Sequence, residues 1–99
     1  MTTKKFIQSF INGNKVAMFS KSFCPFCDMA KTVLNKAGVK NLAVLELDLL
    51  ANGSKMQDEL VNLTKMKTVP QVFINRNFIG GGTEVKNLFE SGKLFKQLK

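Results

Sequence analysis

Apolar and polar positions alternate along the chain with a period that changes from segment to segment, and each change marks an element. Phe6, Ile7, Phe10 and Ile11 recur at helical spacing and stop at Asn12-Gly13, which predicts a first helix. Val16 to Ser20 is a short, almost unbroken apolar run, as in a strand buried on both faces. From Phe26 onward, Met29, Ala30, Val33, Leu34 and Ala37 share one helical face. Asp28, Lys31, Thr32 and Asn35 take the other, and Gly38 follows as a C-terminal stop. Leu45, Leu47 and Leu49 alternate with Glu46 and Asp48, which predicts a half-exposed second strand. Ser54 and Gln57 have the spacing of a capping box ahead of Met56, Leu60 and Leu63 at helical intervals.

The second half of the chain begins after a break at Pro70. Val72-Phe73-Ile74 and Phe78-Ile79 flank a polar turn at Asn75-Arg76-Asn77 and read as a hairpin. Gly80-Gly81-Gly82 leads into a helix carrying Val85, Leu88 and Phe89. Gly92 ends it, and Leu94, Phe95 and Leu98 form a last short amphipathic stretch. The order is α-β-α-β-α-β-β-α-α. A βαβ unit requires a parallel pair with a right-handed crossover, and the hairpin is antiparallel. The expected class is α/β, a four-stranded mixed sheet with helices on both faces. With 99 residues and no linker, repeat or low-complexity tract, residues 1–99 are expected to form one domain.

Both cysteines lie in Cys24-Pro25-Phe26-Cys27, between the predicted strand and the predicted helix. A two-residue spacer puts the sulfurs within disulfide reach, and the strand-to-helix context aims a helix N-terminus at the first. Pro25 at the first helical position sacrifices no needed donor. The helix dipole, the unpaired N–H groups of its first turn and the nearby Lys21 favour the thiolate of Cys24, while Asp28 opposes them. Cys27 falls on the side of Ala30 and Leu34 and is expected to be buried, which suits a resolving thiol. A disulfide between neighbours restrains the unfolded chain little, so a structural bridge is not its purpose. The chain has no histidine, which excludes Cys-His catalysis and mixed Cys/His zinc sites; no metal is expected.

Thr68-Val69-Pro70 precedes a strand, where a proline cannot donate to the ladder. From spacing alone, an ordinary trans turn and a cis peptide exposing the Val69 backbone beside Cys24 both remain open. The glycine run before Thr83-Glu84 leaves room for close approach of a ligand to a helix N-terminus. The rival role of Thr83 is to cap its own helix.

The formal net charge is +8, and every one of the 15 basic residues except Arg76 is a lysine. These are dispersed from Lys4 to Lys99, so a nucleic-acid interface is not expected, and no segment has the length of a membrane span. Reduced paired thiols and the lack of a signal-like apolar core point to the cytoplasm.

In order and spacing, Lys21-Ser22-Phe23-Cys24-Pro25-Phe26-Cys27, Thr68-Val69-Pro70-Gln71-Val72-Phe73-Ile74 and Ile79-Gly80-Gly81 together resemble the dithiol glutaredoxins. The resemblance runs from about Lys15 to the C-terminus and implies a thioredoxin-like fold. It also implies a glutathione-dependent oxidoreductase that reduces protein–glutathione mixed disulfides and protein disulfides through Cys24 and Cys27. Glutathione is then the co-substrate, its anionic charge suits the basic surface, and an NADPH-driven glutathione reductase recycles it indirectly. Carried onto this chain, the resemblance gives Lys21 and Gln57 the glycine-end carboxylate of glutathione. The Val69 backbone pairs with its cysteinyl unit beside a cis Pro70, Thr83 and Glu84 hold its γ-glutamyl end, and Thr68, Pro70, Gly81 and Phe26 complete the glutathione-binding set. Gln57 keeps its capping-box role as a rival. Phe26 stands where many relatives have Tyr, so the ring remains as a wall but its hydroxyl is absent. Asp28-Met29 replaces residues that are often basic, and Gly82 replaces a frequent Cys or Ser. The expected state is a monomer. The alternative is a dimer holding a 2Fe–2S cluster with glutathione, against which the stiff Pro25 argues. Thioredoxin proper is disfavoured, because the chain has no Trp and no Gly-Pro between its cysteines.

Overall fold

The computed structural model describes residues 2–99. Helix α1 (Thr3–Asn12) is followed by β1 (Val16–Ser20), α2 (Pro25–Lys36), β2 (Leu42–Glu46), a 3-10 turn (Leu47–Leu49) and α3 (Gly53–Thr64). The hairpin β3 (Gln71–Ile74) and β4 (Asn77–Gly80) comes next, then α4 (Gly82–Glu90) and α5 (Leu94–Gln97). The sheet order is β2-β1-β3-β4. β1 and β2 are parallel, and β3 is antiparallel to both β1 and β4. This is the expected four-stranded mixed sheet.

Side-chain alternation along the two central strands divides the core into two layers. Val16, Met18, Val72 and Ile74 point to the face covered by Ala30, Val33 and Leu34 of α2, Val85 of α4 and Leu94 of α5. Ala17, Phe19 and Phe73 point to the other face and meet Ile7 and Ile11 of α1 and Met56 and Leu60 of α3. Phe19 is the hub of that second layer, edge-on to Phe10 at 5.5 Å and to Phe73 at 5.9 Å between centroids. All five residues of β1 are buried, as its unbroken apolar run predicts. Among the described residues no helix is long and apolar enough to cross a membrane.

Local signals act as expected at most element ends. The Thr2 hydroxyl accepts from Lys5 N–H at 3.1 Å and caps α1. Gly38 follows α2 with φ 95°, the left-handed stop that glycine adopts without strain. Of the turn expected at Asn75-Arg76-Asn77, Asn75 and Arg76 form a two-residue hairpin loop, both at positive φ as a turn matched to strand twist requires, and Asn77 instead opens β4.

Two expectations fail, and both failures lie beside the functional edge. The strand expected through Leu45, Leu47 and Leu49 stops at Glu46, because its partner β1 ends at Ser20, opposite Glu46. Without a ladder to continue, the chain tightens into the 3-10 turn, closed by Leu50 N–H donating to Leu47 C=O at 3.3 Å. Leu47 turns inward and Leu49 is left 70% exposed. The Ser54–Gln57 capping box is also absent. α3 starts two residues earlier, with Asn52 as N-cap making no side-chain bond. Gly53 can begin the helix there because it lies flat against the Leu47 carbonyl, and a Cβ at that position would sit 1.9 Å from the oxygen.

Candidate active site

The sheet register collects the site. β1 and β2 end at the same edge where the antiparallel β3 begins, with Phe19 opposite Gln71. β4 ends there too, with Gly80 opposite Val72. The Cys24 turn, the Val69-Pro70 segment and the start of α4 therefore converge, although they are far apart in sequence.

Cys24 is the N-cap of α2, with Pro25 as its first helical residue. Its half-buried Sγ accepts a hydrogen bond from Cys27 N–H at 3.2 Å and lies 3.8 Å from the Val69 carbonyl oxygen. A sulfur takes the place that a Ser or Asp oxygen usually fills at such a cap. Cys27, one turn along, is fully buried. Burial, and next its hydrogen bond with Cys24, push the Cys27 thiol up to about 11. Both cysteines are free thiols. One sulfur is thus reachable and held by a backbone donor, and the other is protonated and shielded. Such a pair is suited to sequential thiol–disulfide exchange.

The Val69-Pro70 peptide is cis. The segment ahead of it is held by Gln71, whose buried side-chain amide donates to Met66 C=O at 2.9 Å and Thr68 C=O at 3.0 Å. The Gln71 amide oxygen accepts from the Thr64 hydroxyl at 2.9 Å. Thr68 is exposed, and the bond at its carbonyl is the one to Gln71.

Gly81 and Gly82 close the other side. A Cβ on Gly81 would lie 3.3 Å from the Pro70 carbonyl oxygen and 2.9 Å from the Met66 methyl. One on Gly82 would lie 2.9 Å from the Phe26 carbonyl oxygen. Only glycines let α4 start this close to the cysteine turn. Gly81 is the N-cap of α4. Thr83 therefore lies inside the first turn and does not cap the helix, which removes that rival role. The Glu84 carboxylate instead reaches back to accept from Gly81 N–H at 2.6 Å. By helix geometry the first N–H groups of α4 lack an intrahelical acceptor and face the same edge.

Lys21 and Gln57, 36 residues apart by number, line one cleft of about 270 Å³ together with Phe23, Leu47, Asp48, Gly53 and Ser54. Gln57 Nε2 donates to Lys67 C=O at 2.8 Å, so its side chain ties α3 to the loop ahead of Thr68 in place of a capping bond. Phe26 stands 59% exposed and Phe23 73% exposed beside Cys24 in the chain, an apolar rim next to a reactive sulfur.

Several residues that shape the site gave no functional signal in the sequence. Asp48 reads there as a polar position of a strand. In the structure it accepts from Ser22 N–H at 2.9 Å and from the Ser22 hydroxyl, and these bonds hold its carboxyl below the usual range. Gln71 lies just before the expected strand Val72-Phe73-Ile74; in the structure it opens β3, and its side chain organises the loop before it. Lys31 pairs with Glu46 at 3.1 Å and pins α2 to the end of β2.

Comparison with known proteins agrees with this geometry. The family model described as Glutaredoxin matches residues 16–79. Glutaredoxin-2 of Schizosaccharomyces pombe is 44% identical over 95 residues, covering 96% of this chain and 86% of that protein. The mitochondrial glutaredoxin-2 of Bos taurus is 46% identical over 88 residues, covering 89% of this chain; the chain spans 55% of that relative's length. The crystal structure of a buckwheat glutaredoxin–glutathione complex superposes with a TM-score of 0.92 at 32% identity, covering 97% of this chain and 86% of that one. The likeness extends over nearly the whole chain, in sequence and in fold. The chain belongs to the glutaredoxin family of glutathione-dependent thiol oxidoreductases.

Proposed function

We propose that the chain reduces protein–glutathione mixed disulfides and protein disulfides, with Cys24 as nucleophile, Cys27 as resolving thiol and glutathione as reductant. The observation that carries this division of labour is the contrast between the sulfurs: Cys24 is reachable and capped by Cys27 N–H, whereas Cys27 is buried with its thiol pushed up to about 11. Cys24 thiolate attacks the glutathione sulfur of a mixed disulfide. A Cys24–glutathione bond forms, the original S–S bond breaks, and the target leaves as a thiolate that takes up a proton. A second glutathione thiolate attacks the adduct, forms oxidised glutathione and returns Cys24. With a protein disulfide, Cys27 attacks the Cys24 adduct instead, and two glutathiones then reduce the Cys24–Cys27 bond. An NADPH-dependent glutathione reductase regenerates the reductant.

Glutathione is held in the reading that the cleft supports. Lys21 and Gln57 meet its glycine carboxylate, Thr68, Val69 and Pro70 its cysteinyl backbone, and Gly81, Thr83 and Glu84 its γ-glutamyl end, with Phe26 as an apolar wall. Glu84 Oε1 is occupied by Gly81 N–H, so an ammonium group meets the carboxylate from the other oxygen. A single-domain monomer suffices for this chemistry. The test is NADPH-coupled turnover of a glutathionylated peptide with wild type, Cys24→Ser and Cys27→Ser. Loss of turnover in Cys24→Ser with retention in Cys27→Ser supports the assignment; absence of turnover in wild type contradicts it.

A further inference from the structure

An anionic side chain lines the cleft that the proposed function assigns to a carboxylate. Asp48 shares that cleft with Lys21 and Gln57. A free carboxylate there would repel the glycine end of glutathione and compete with it for Lys21. Both Asp48 oxygens are engaged, however. Oδ1 accepts from Ser22 N–H at 2.9 Å and Oδ2 from the Ser22 hydroxyl. The partners are 26 residues apart in sequence, so this is a tertiary clasp, not a local turn.

The clasp has a rigid base. Asp48 sits in the 3-10 turn that forms where β2 runs out of a partner, and Leu47 beside it is buried. Gly53 packs against the Leu47 carbonyl and fixes that turn to the start of α3. At the other end, Ser22 lies between Lys21 and Phe23, both of which line the cleft, and two residues ahead of Cys24. Fixing the Ser22 amide and hydroxyl at once fixes the direction in which Lys21 leaves the backbone. Ser22 and Asp48 are exposed, so the clasp adds little to global stability and its effect falls on the turn it holds.

We propose that Asp48 is a positioning residue for glutathione: through Ser22, which occupies both of its carboxylate oxygens, it orients Lys21 toward the glycine-end carboxylate. This rests on the assignment of Lys21 under the proposed function. The role belongs to the hydrogen bonds more than to the charge. Asp48→Asn keeps an acceptor for Ser22 N–H and can donate to the Ser22 hydroxyl, whereas Asp48→Ala removes both contacts.

The experiment is steady-state turnover of a glutathionylated peptide by wild type, Lys21→Ala, Asp48→Ala, Asp48→Asn and the Lys21→Ala/Asp48→Ala double variant, with thermal unfolding as a check on folding. Asp48→Ala is expected to raise KM for the peptide about fivefold with kcat within about twofold, the pattern of a lost binding interaction. Asp48→Asn is expected to stay within about twofold of wild type, and Asp48→Ala is expected to add nothing in the Lys21→Ala background. Equal KM for Asp48→Ala and wild type overturns the inference. So does a KM increase that persists in full without Lys21, or a fall in kcat alone. If Lys21→Ala raises KM while Asp48→Ala does not, only the inference fails. If Lys21→Ala leaves KM unchanged, or wild type does not turn over, the underlying assignment fails and takes the inference with it.

Discussion

Cys27 is built to close the Cys24–Cys27 bond slowly at neutral pH, and the rate of that closure should climb far into the alkaline range. The perturbation is a pH jump on the Cys24–glutathione adduct. With its thiol at about 11 against an ordinary 9.0, Cys27 is a thiolate in only about one molecule in ten thousand at neutral pH, about a hundredfold fewer than an unperturbed cysteine. A more basic thiolate is a better nucleophile, which recovers about a factor of ten of that loss. The net expectation is closure about tenfold slower than for an exposed cysteine at the same distance. Burial is the first cause of the raised value and persists in the adduct, whereas the contribution from the Cys24 sulfur weakens once that sulfur is bonded to glutathione. The plateau should therefore lie above 9 and no higher than about 11. The adduct is formed at acid pH, freed of glutathione, jumped to a series of pH values and quenched for mass analysis of released glutathione. The rate should rise about tenfold per pH unit through the neutral range and still be rising past the ordinary cysteine value. A plateau at or below that value would refute the burial argument.

Two further variants probe the frame around the site. Gly53→Ala places a Cβ 1.9 Å from the Leu47 oxygen and 2.8 Å from its carbon, both backbone atoms. It should cost about 3 kcal/mol or more in urea unfolding, and a cost under about 1 kcal/mol would mean that the 3-10 turn yields freely. Gln71→Leu removes a buried amide that serves Thr64, Met66 and Thr68. It should destabilise by about 2 kcal/mol and raise KM for the glutathionylated peptide, and an unchanged KM would separate the loop from substrate binding.

Much of the fold is legible in the sequence because each layer carries its own period. The β1 run, the apolar face of α2, the Asn75-Arg76 turn and the glycines ahead of α4 are local signals, and the structure keeps them. The paired cysteines between a strand and a helix are legible for the same reason, since capping and dipole are properties of one helix end. What escapes a reading of the sequence is set by tertiary limits. Leu47 and Leu49 alternate as a strand does, but the ladder ends where β1 ends, and periodicity along β2 carries no information about the length of its neighbour. Ser54 and Gln57 satisfy a capping box by spacing, but contact between Gly53 and Leu47 starts α3 two residues early and frees Gln57 to bind Lys67. Asp48 and Ser22 find each other only after that turn forms. The least legible residues are therefore those whose partners lie across the site edge.

The assignment of the attacking sulfur is tested most directly by trapping. Cys27→Ser is treated with one equivalent of a glutathionylated peptide, quenched with acid, digested and mapped by mass spectrometry. One glutathione on Cys24, with the peptide released as a free thiol, is the predicted result. Peptide attached to Cys24 in place of glutathione, or a glutathione adduct that forms equally on Cys27 in Cys24→Ser, would contradict it.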